Sequence, residues 1–303
     1  MQIGIVLPMA ESDGPGASRW PKISELARQA EARGLDSLWV YDHLLFRSPT
    51  EGDDGSLDSL TILTAAAAVT ERIKLGTIVL GTGFRSPGIT ARMAATLDEI
   101  SEGRMILGLG VGWHEPEYQA FGIPFDHRVG RFEEFLAVAL PLLRGERVTF
   151  DGQWHQAADA VLMPPPPRPT RLPGHMPILI AGKGERVLDL VARHADAWNA
   201  AWYGLPDERY TGRHADLLRA CERMDRDPAT LEVTVGMTID AAWAGGGRPL
   251  APNALPPEAD AVARALDAWR DLGVGHVQVD LRPAGIEVID LLADAMTLHR
   301  GVS

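Results

Sequence analysis

Cysteine is almost absent: Cys221 stands alone among 303 residues, which rules out a disulfide within the chain and fits a reducing, cytoplasmic setting. Cys221 falls in a helix-like segment, where a buried, inert thiol is expected. Long apolar runs are also missing. No stretch reaches the ~20 apolar residues of a membrane-spanning helix. The opening Met1-Gln2-Ile3-Gly4-Ile5-Val6-Leu7-Pro8 has neither the basic start nor the apolar length of a secretory signal. Positive charge is in deficit, with 29 Lys and Arg against 41 Asp and Glu, a net charge of -12. Binding to a nucleic-acid backbone or an anionic membrane depends on clustered cations, so neither is an expected partner. Metal-ligand spacing is lacking too, since no strand carries a His-x-His pair, and no metal site is expected.

With 46% hydrophobic and 23% charged residues, the chain has an ordinary globular composition and can bury a large core. Its apolar runs are short and alternate with helical spacing. Ile3 to Leu7 reads as a strand stopped by Pro8. Trp20 to Arg33 follows as a helix, with Ile23, Leu26, Ala27 and Ala30 on one face and Gly34 as its stop. Ser37 to Tyr41 is the second strand. After it come Asp42-His43, a long loop through Gly52 to Gly55, and a helix from Leu57 to Thr70 capped by Ser56. Strands at Ile73 to Leu80 and Arg104 to Leu109 flank a helix opened by Pro87, where a missing N–H costs least. A fourth helix runs from Arg131 to Leu143.

The rhythm then breaks. Val148 to His155 reads as a hairpin turning at Asp151-Gly152, and the run from Pro164 to Pro169 excludes both helix interior and central strand. The pattern resumes afterwards, so residues 145–176 are an insertion within one domain covering 1–303. Strands at Pro177 to Ala181, Ala197 to Ala200, Leu231 to Ile239 and His276 to Leu281 follow. Their helices span Glu185 to Ala195, Asp207 to Arg226, Pro256 to Leu272 and Ile286 to His299. Eight alternating units predict an α/β fold of the (β/α)8 TIM-barrel kind rather than an open doubly wound sheet.

Active sites of such barrels lie at the C-terminal strand ends. Here those ends hold glycine and tryptophan and few ionisable groups: Asp42-His43, Gly81-Thr82-Gly83, Gly110-Val111-Gly112-Trp113, Gly182-Lys183-Gly184, Trp198-Asn199 with Trp202 beyond, and Asp280 with Arg282. Gly182-Lys183-Gly184 lies between a strand and a helix, where backbone N–H groups and the helix N-terminus can hold a phosphate, or where glycine simply allows a tight turn. Gly108-x-Gly110-x-Gly112 has the shape of a dinucleotide fingerprint, but no acidic ribose ligand follows at the expected distance. His43 can exchange a proton near neutral pH or serve as a structural histidine. Trp113 and Trp202 can wall a substrate pocket or pack the barrel top.

Taken together, these residues resemble the bacterial luciferase-like family, in its branch of coenzyme F420-dependent oxidoreductases. The resemblance covers nearly the whole chain. It rests on Gly34 to His43, Leu75 to Pro87, Thr96 to Arg104, Gly108 to Trp113 with Glu117 and Phe121-Gly122, and Gly182 to Arg186 with Ala195 to Asn199. It implies a barrel, commonly dimeric, with F420 lying across the strand ends and a small organic substrate beside it; FMN and a monooxygenase reaction are the alternative within the family, and a barrel that binds a ligand without turnover is the alternative outside it. It further implies a non-prolyl cis peptide at Ile78-Val79 behind the central ring. Val111-Gly112, with Asp42, Gly110 and Trp198, would line the cofactor, and Gly182-Lys183-Gly184 would hold its phosphate. His43 matches the base of the family's sugar-phosphate dehydrogenases. Trp113 stands where those enzymes have a glutamate acid, so the resemblance implies a more apolar substrate here, with Trp113 and Trp202 beside it.

Overall fold

A computed structural model describes residues 1–13, 16, 18–48, 52–166, 175–241 and 253–301. Eight parallel strands close into a ring. In chain order they are β1 (Gln2–Val6), β2 (Ser37–Val40), β5 (Lys74–Thr77), β7 (Met105–Gly110), β10 (Ile178–Ala181), β11 (Ala197–Tyr203), β12 (Glu232–Asp240) and β13 (His276–Arg282). Each pairs with the next, β13 pairs back to β1, and β7 pairs with β10 through Leu107 with Ile178, Gly108 with Leu179 and Leu109 with Ile180. Closure leaves this eight-stranded ring without an edge. Both faces of the strands are covered, so most strand residues are buried, including the polar ones that alternate with apolar ones along β12 and β13.

Helices α1 (Trp20–Ala32), α2 (Ser59–Val69), α3 (Pro87–Ile100), α5 (Arg128–Leu143), α6 (Glu185–His194), α7 (Glu208–Arg223), α8 (Ala259–Asp271) and α9 (Ile286–Arg300) form the outer layer, and the short α4 (Glu115–Ala120) follows β7. Their inward stripes, such as Ile23, Leu26, Ala27 and Ala30 of α1, are buried against the strands. A second apolar cluster of Val6, Trp39, Ile78, Ile106, Leu179 and Ala197 fills the barrel itself. Among the described residues no helix is long and apolar enough to cross a membrane.

Several local expectations change. The helix expected from Leu57 begins at Ser59, because the Asp58 carboxylate, not Ser56, accepts the Thr61 N–H at 2.9 Å. Within the loop after His43, Leu45–Ser48 (β3) and Gly52–Gly55 (β4) form an antiparallel hairpin. It carries no apolar alternation on β4, so the sequence offers no strand signal there. The third strand does not run unbroken to Leu80. It stops at Thr77, a cis peptide joins Ile78 to Val79, and Leu80–Gly81 (β6) resumes beside β7. The hairpin between α5 and β10 pairs Val148–Asp151 (β8) with Gln156–Ala160 (β9), longer than the span to His155, with Gly152 in its loop. Of the proline run, Pro167 to Pro169 lie outside the described residues. The sixth strand runs three residues beyond Ala200, its register shifting between Asn199 and Trp202.

The motif from Thr96 to Arg104 is structural. Arg104 is buried and donates to the carbonyls of Ala67, Thr70, Ile73 and Ser101 and to the Thr70 hydroxyl, closing the C-terminal end of α2, where carbonyls otherwise lack partners. At the opposite end of the barrel from the glycines, His276 is buried with Nε2 2.7 Å from Ser37 Oγ, which also accepts the Trp39 indole N–H.

Burial, reinforced by Lys74, lowers the His276 pKa to about 3 from 6.5. A histidine whose folded pKa is depressed stabilises the fold fully above its unfolded pKa and progressively less as pH falls through 6.5 toward 3. We therefore expect urea unfolding to show a loss of about 3 kcal/mol between neutral pH and about pH 4 from this group, and His276→Gln to flatten that part of the acid limb.

Candidate active site

The C-terminal strand ends enclose a cavity of about 1040 Å³, large enough for a tricyclic cofactor with a small substrate beside it. Its floor is apolar, with Val6, Ile78, Val79 and Ala181 at the surface of the cavity and the inner barrel cluster beneath. Val79 sits against β7. A Cβ placed on Gly110 would lie 2.5 Å from Val79 Cγ2, and one on Gly108 would lie 1.8 Å from the Thr77 carbonyl oxygen. These glycines therefore admit the displaced backbone of the neighbouring strand. Close approach by a cofactor is not the first reason for them.

Gly112 has a separate reason. Its φ is +75°, a conformation that favours glycine, and a Cβ there would meet the Tyr118 hydroxyl at 1.9 Å. Tyr118 is fully buried, and among the described residues its hydroxyl has no hydrogen-bond partner. Burial, with Glu117 beside it, pushes the phenol up to about 12.

On the next side of the mouth, Gly182 follows β10 and Gly184 precedes α6, with no side-chain cap on the first turn of that helix. Lys183 and Arg213 line both the main cavity and a groove of about 410 Å³ that continues between α6 and α7. Among the described residues neither has a carboxylate partner; Arg213 donates instead to Ala200 O and Tyr203 Oη at 3.0 and 2.9 Å. Arg219 and Arg223, deeper in the groove, pair with Asp216 and Asp189. An uncapped helix start beside two unneutralised cations is an anion-binding arrangement.

Opposite, the polar groups are spoken for. The Asp42 carboxylate accepts from Arg85, the Ser59 hydroxyl and the Gly81 N–H. Tyr41 donates to Asp13 at 2.6 Å, and Arg282 Nε donates to Asp280 at 2.5 Å. Burial raises the Tyr41 phenol, and Asp13 raises it further. His43 lies between them and β7, its Nδ1 3.0 Å from Glu117 Oε1, with the rings of Phe46 and Trp113 4.2 and 5.6 Å from its own. Glu117 Oε2 accepts the Leu44 N–H at 2.8 Å.

The luciferase-like monooxygenase family model matches residues 1–283. The chain belongs to that family. It is 32% identical over 282 residues to the F420-dependent glucose-6-phosphate dehydrogenase of Beutenbergia cavernae, covering 90% of this chain and 76% of that protein. It is also 34% identical over 209 residues to the pyrimidine monooxygenase RutA of Methylorubrum extorquens, 65% of this chain and 56% of that one. In structure it superposes on an F420-dependent secondary alcohol dehydrogenase in complex with an F420–acetone adduct, with a TM-score of 0.79 at 19% identity and 99% of each chain covered. This last likeness speaks for the fold.

Within this luciferase-like barrel, His43, Asp42, Ile78, Val79, Gly110, Val111, Gly112, Trp113, Gly182, Lys183 and Trp202 all line the one cavity. Gly184 and Trp198 line the groove instead. Trp198 is fully buried and donates its indole N–H to Gly182 O at 3.0 Å, so it braces the loop from below. The Asp42 carboxylate holds the ends of β2 and β6 together, which leaves backbone for the cavity. Trp113 is 67% exposed and Trp202 42% exposed. Trp202 lies over Gly236, where a Cβ would come within 2.3 Å of its ring. Glu117 belongs to the matched motif but was not expected as a site residue, because nothing in its spacing shows that the side chain is buried. Arg213 and Asp13 carry no sequence signal at all.

Gly112→Ala should destabilise the protein by about 3 kcal/mol through its positive φ and the collision with Tyr118. Tyr118→Phe removes a hydroxyl with no partner and should cost little. In a double-mutant cycle followed by urea unfolding, Gly112→Ala in the Tyr118→Phe background should lose about 1 kcal/mol less than in the native one.

Proposed function

We propose that the protein is an F420-dependent oxidoreductase acting on a small, fairly apolar organic substrate. The observation that carries this reading is the cavity itself, a flat apolar floor at Ile78 and Val79 leading to the Gly182-Lys183-Gly184 loop and the cationic groove behind it. Bound deazaflavin would supply hydride chemistry at its C5 position. Lys183, Arg213 and the first turn of α6 would hold its phosphate, and the groove that continues between α6 and α7, where Arg219 and Arg223 are already paired with Asp216 and Asp189, would take the rest of the cofactor. A flavin mononucleotide ends at the phosphate and has no use for that groove, and this favours F420 over FMN.

The chain's own residues would do three things. Val79 and the inner barrel cluster keep water from the lower face of the ring, which strengthens electrostatic interactions in the site. Trp113, Trp202 and Phe46 supply apolar walls for a substrate without many charges. His43 faces the cavity as the acid or base for a substrate oxygen. Trp113 supplies no acid, so the acid–base work falls on His43. A monooxygenase reaction on reduced FMN is the second reading, favoured by the same apolar floor.

Apoprotein should quench F420 fluorescence with saturable binding and take up FMN at least about tenfold more weakly. Tight FMN binding without F420 binding would sink the first reading in favour of the second. Lys183→Ala should weaken F420 about tenfold while leaving the melting temperature in place. Stopped-flow assays of His43→Asn should show turnover lowered on the order of 100-fold, with cofactor affinity retained.

A further inference from the structure

We propose that Glu117 is the positioning residue that sets which nitrogen of His43 carries the proton, leaving Nε2 as a proton acceptor facing the cavity. Glu117 is 1% exposed and lies in α4, immediately beyond the β7 end. Both of its oxygens are engaged by the same short segment: Oε1 is 3.0 Å from His43 Nδ1, and Oε2 accepts the Leu44 N–H at 2.8 Å. An ionised carboxylate only accepts hydrogen bonds, so the imidazole nitrogen that faces it must be the donor. Neutral His43 is therefore the Nδ1–H tautomer. Its Nε2 lone pair has no hydrogen-bond partner among the described residues, and the ring lines the cavity.

The other neighbours do not compete for that role. Trp113 and Phe46 meet His43 through their rings. His114, 6.3 Å away between ring centroids, uses its Nε2 to accept the Arg47 N–H. Asp42, the next residue along the chain, is consumed by Arg85, Ser59 and Gly81. Glu117 alone both orients the ring and pins the backbone that follows it. A carboxylate in this position also stabilises the imidazolium that forms when Nε2 takes up a proton.

The consequence deepens the F420 reading and rests on it for the redox step. With a secondary alcohol in the cavity, the hydroxyl proton passes to His43 Nε2. Oxidised deazaflavin, where bound, would be the hydride acceptor, so that the carbinol hydrogen would leave with its electron pair and the C–O bond would become a carbonyl. The substrate loses one proton and one hydride, and both are accounted for. In the opposite direction the imidazolium returns the proton to a carbonyl oxygen as it is reduced. The substrate class is thus a small alcohol or ketone carrying apolar groups, not one needing a second acid.

The test begins on cofactor-free protein. Two-bond proton–nitrogen NMR of 15N-labelled protein at about pH 8.5, above the ordinary histidine range, reports the tautomer, and the His43→Asn spectrum identifies the signal. The wild type should show the proton on Nδ1. Glu117→Gln keeps the shape and can still accept the Leu44 N–H, but its amide donates toward Nδ1, so the proton should move to Nε2. A wild-type His43 protonated on Nε2, or a tautomer that Glu117→Gln leaves unchanged, overturns the assignment. In the loaded enzyme Glu117→Gln should lower kcat for alcohol oxidation on the order of 100-fold with KM changed by less than about threefold, and an unchanged kcat would likewise overturn it. Because the NMR measurement uses no cofactor, failure to bind F420 would remove the redox reading and leave the tautomer assignment standing on its own result.

Discussion

Everything at the mouth depends on the pairing of β7 with β10. Ile178, Leu179 and Ile180 bond in register beside Leu107, Gly108 and Leu109, and this pairing turns a twisted sheet into a closed ring. Without it the Gly110-Val111-Gly112 end and the Ala181-Gly182-Lys183 end would be edges at opposite sides of an open sheet. With it they stand side by side, so the apolar floor over Val79 runs directly into the cationic loop. The pairing is a matter of backbone hydrogen bonds and apolar burial, yet it decides which side chains share a cavity.

Closure also explains how the mouth can be so sparing with charge. Asp13, Asp42, Asp280 and Glu117 all line it, and each carboxylate is taken by a phenol, a guanidinium, a hydroxyl, an imidazole or a backbone N–H. An unpaired charge in a partly dry cavity would cost several kcal/mol, so these groups are spent on joining one strand end to the next. Among the described residues that line the cavity, the cations with no carboxylate partner are Lys183, Arg213 and Arg128, the last donating to Gly112 O, and His43 turns its outer edge to the same space. So short a set makes the division of labour legible, with Lys183 and Arg213 on one side, a proton-exchanging group on the other and apolar surface between.

The order of the strands, the helices between them and the strand-end residues could be read from the sequence, because those features rest on periodicity and on glycine and proline chemistry that act locally. The helix start at Pro87 and the stop at Gly34 are of this kind. What could not be read depends on partners distant in the chain. Asp42 ends a strand and lines the cavity as expected of its place, but that its carboxylate would be held by Arg85 and by Ser59 on α2 could not be read. Trp198 was expected to line the cofactor; its indole N–H donates to Gly182 O, a contact that supports the loop from beneath and that its strand position does not announce. The glycines of β7 suggested room for a ligand, whereas the space where their Cβ atoms would stand is filled by Thr77 and Val79 of the neighbouring strand. Glu117 and Arg213 lie on helices whose pattern gives no reason to turn a charged residue inward.

This last point bears on how an apolar mouth and acid–base chemistry coexist. A histidine packed against the rings of Phe46 and Trp113 gains from them neither a polar contact that holds its ring nor a partner for the charge that arrives with a proton. Placing one carboxylate behind the ring, out of the cavity, answers both difficulties: it fixes the ring and offsets the charge that arrives with the proton, without placing an anion where the substrate must sit. The carboxylate can do so only because α4 follows β7 at once, so that the turn at Gly112 brings Glu117 beneath the end of β2. The tight positive-φ glycine, which first reads as part of a cofactor loop, is thus equally the hinge that brings the buried acid to its histidine.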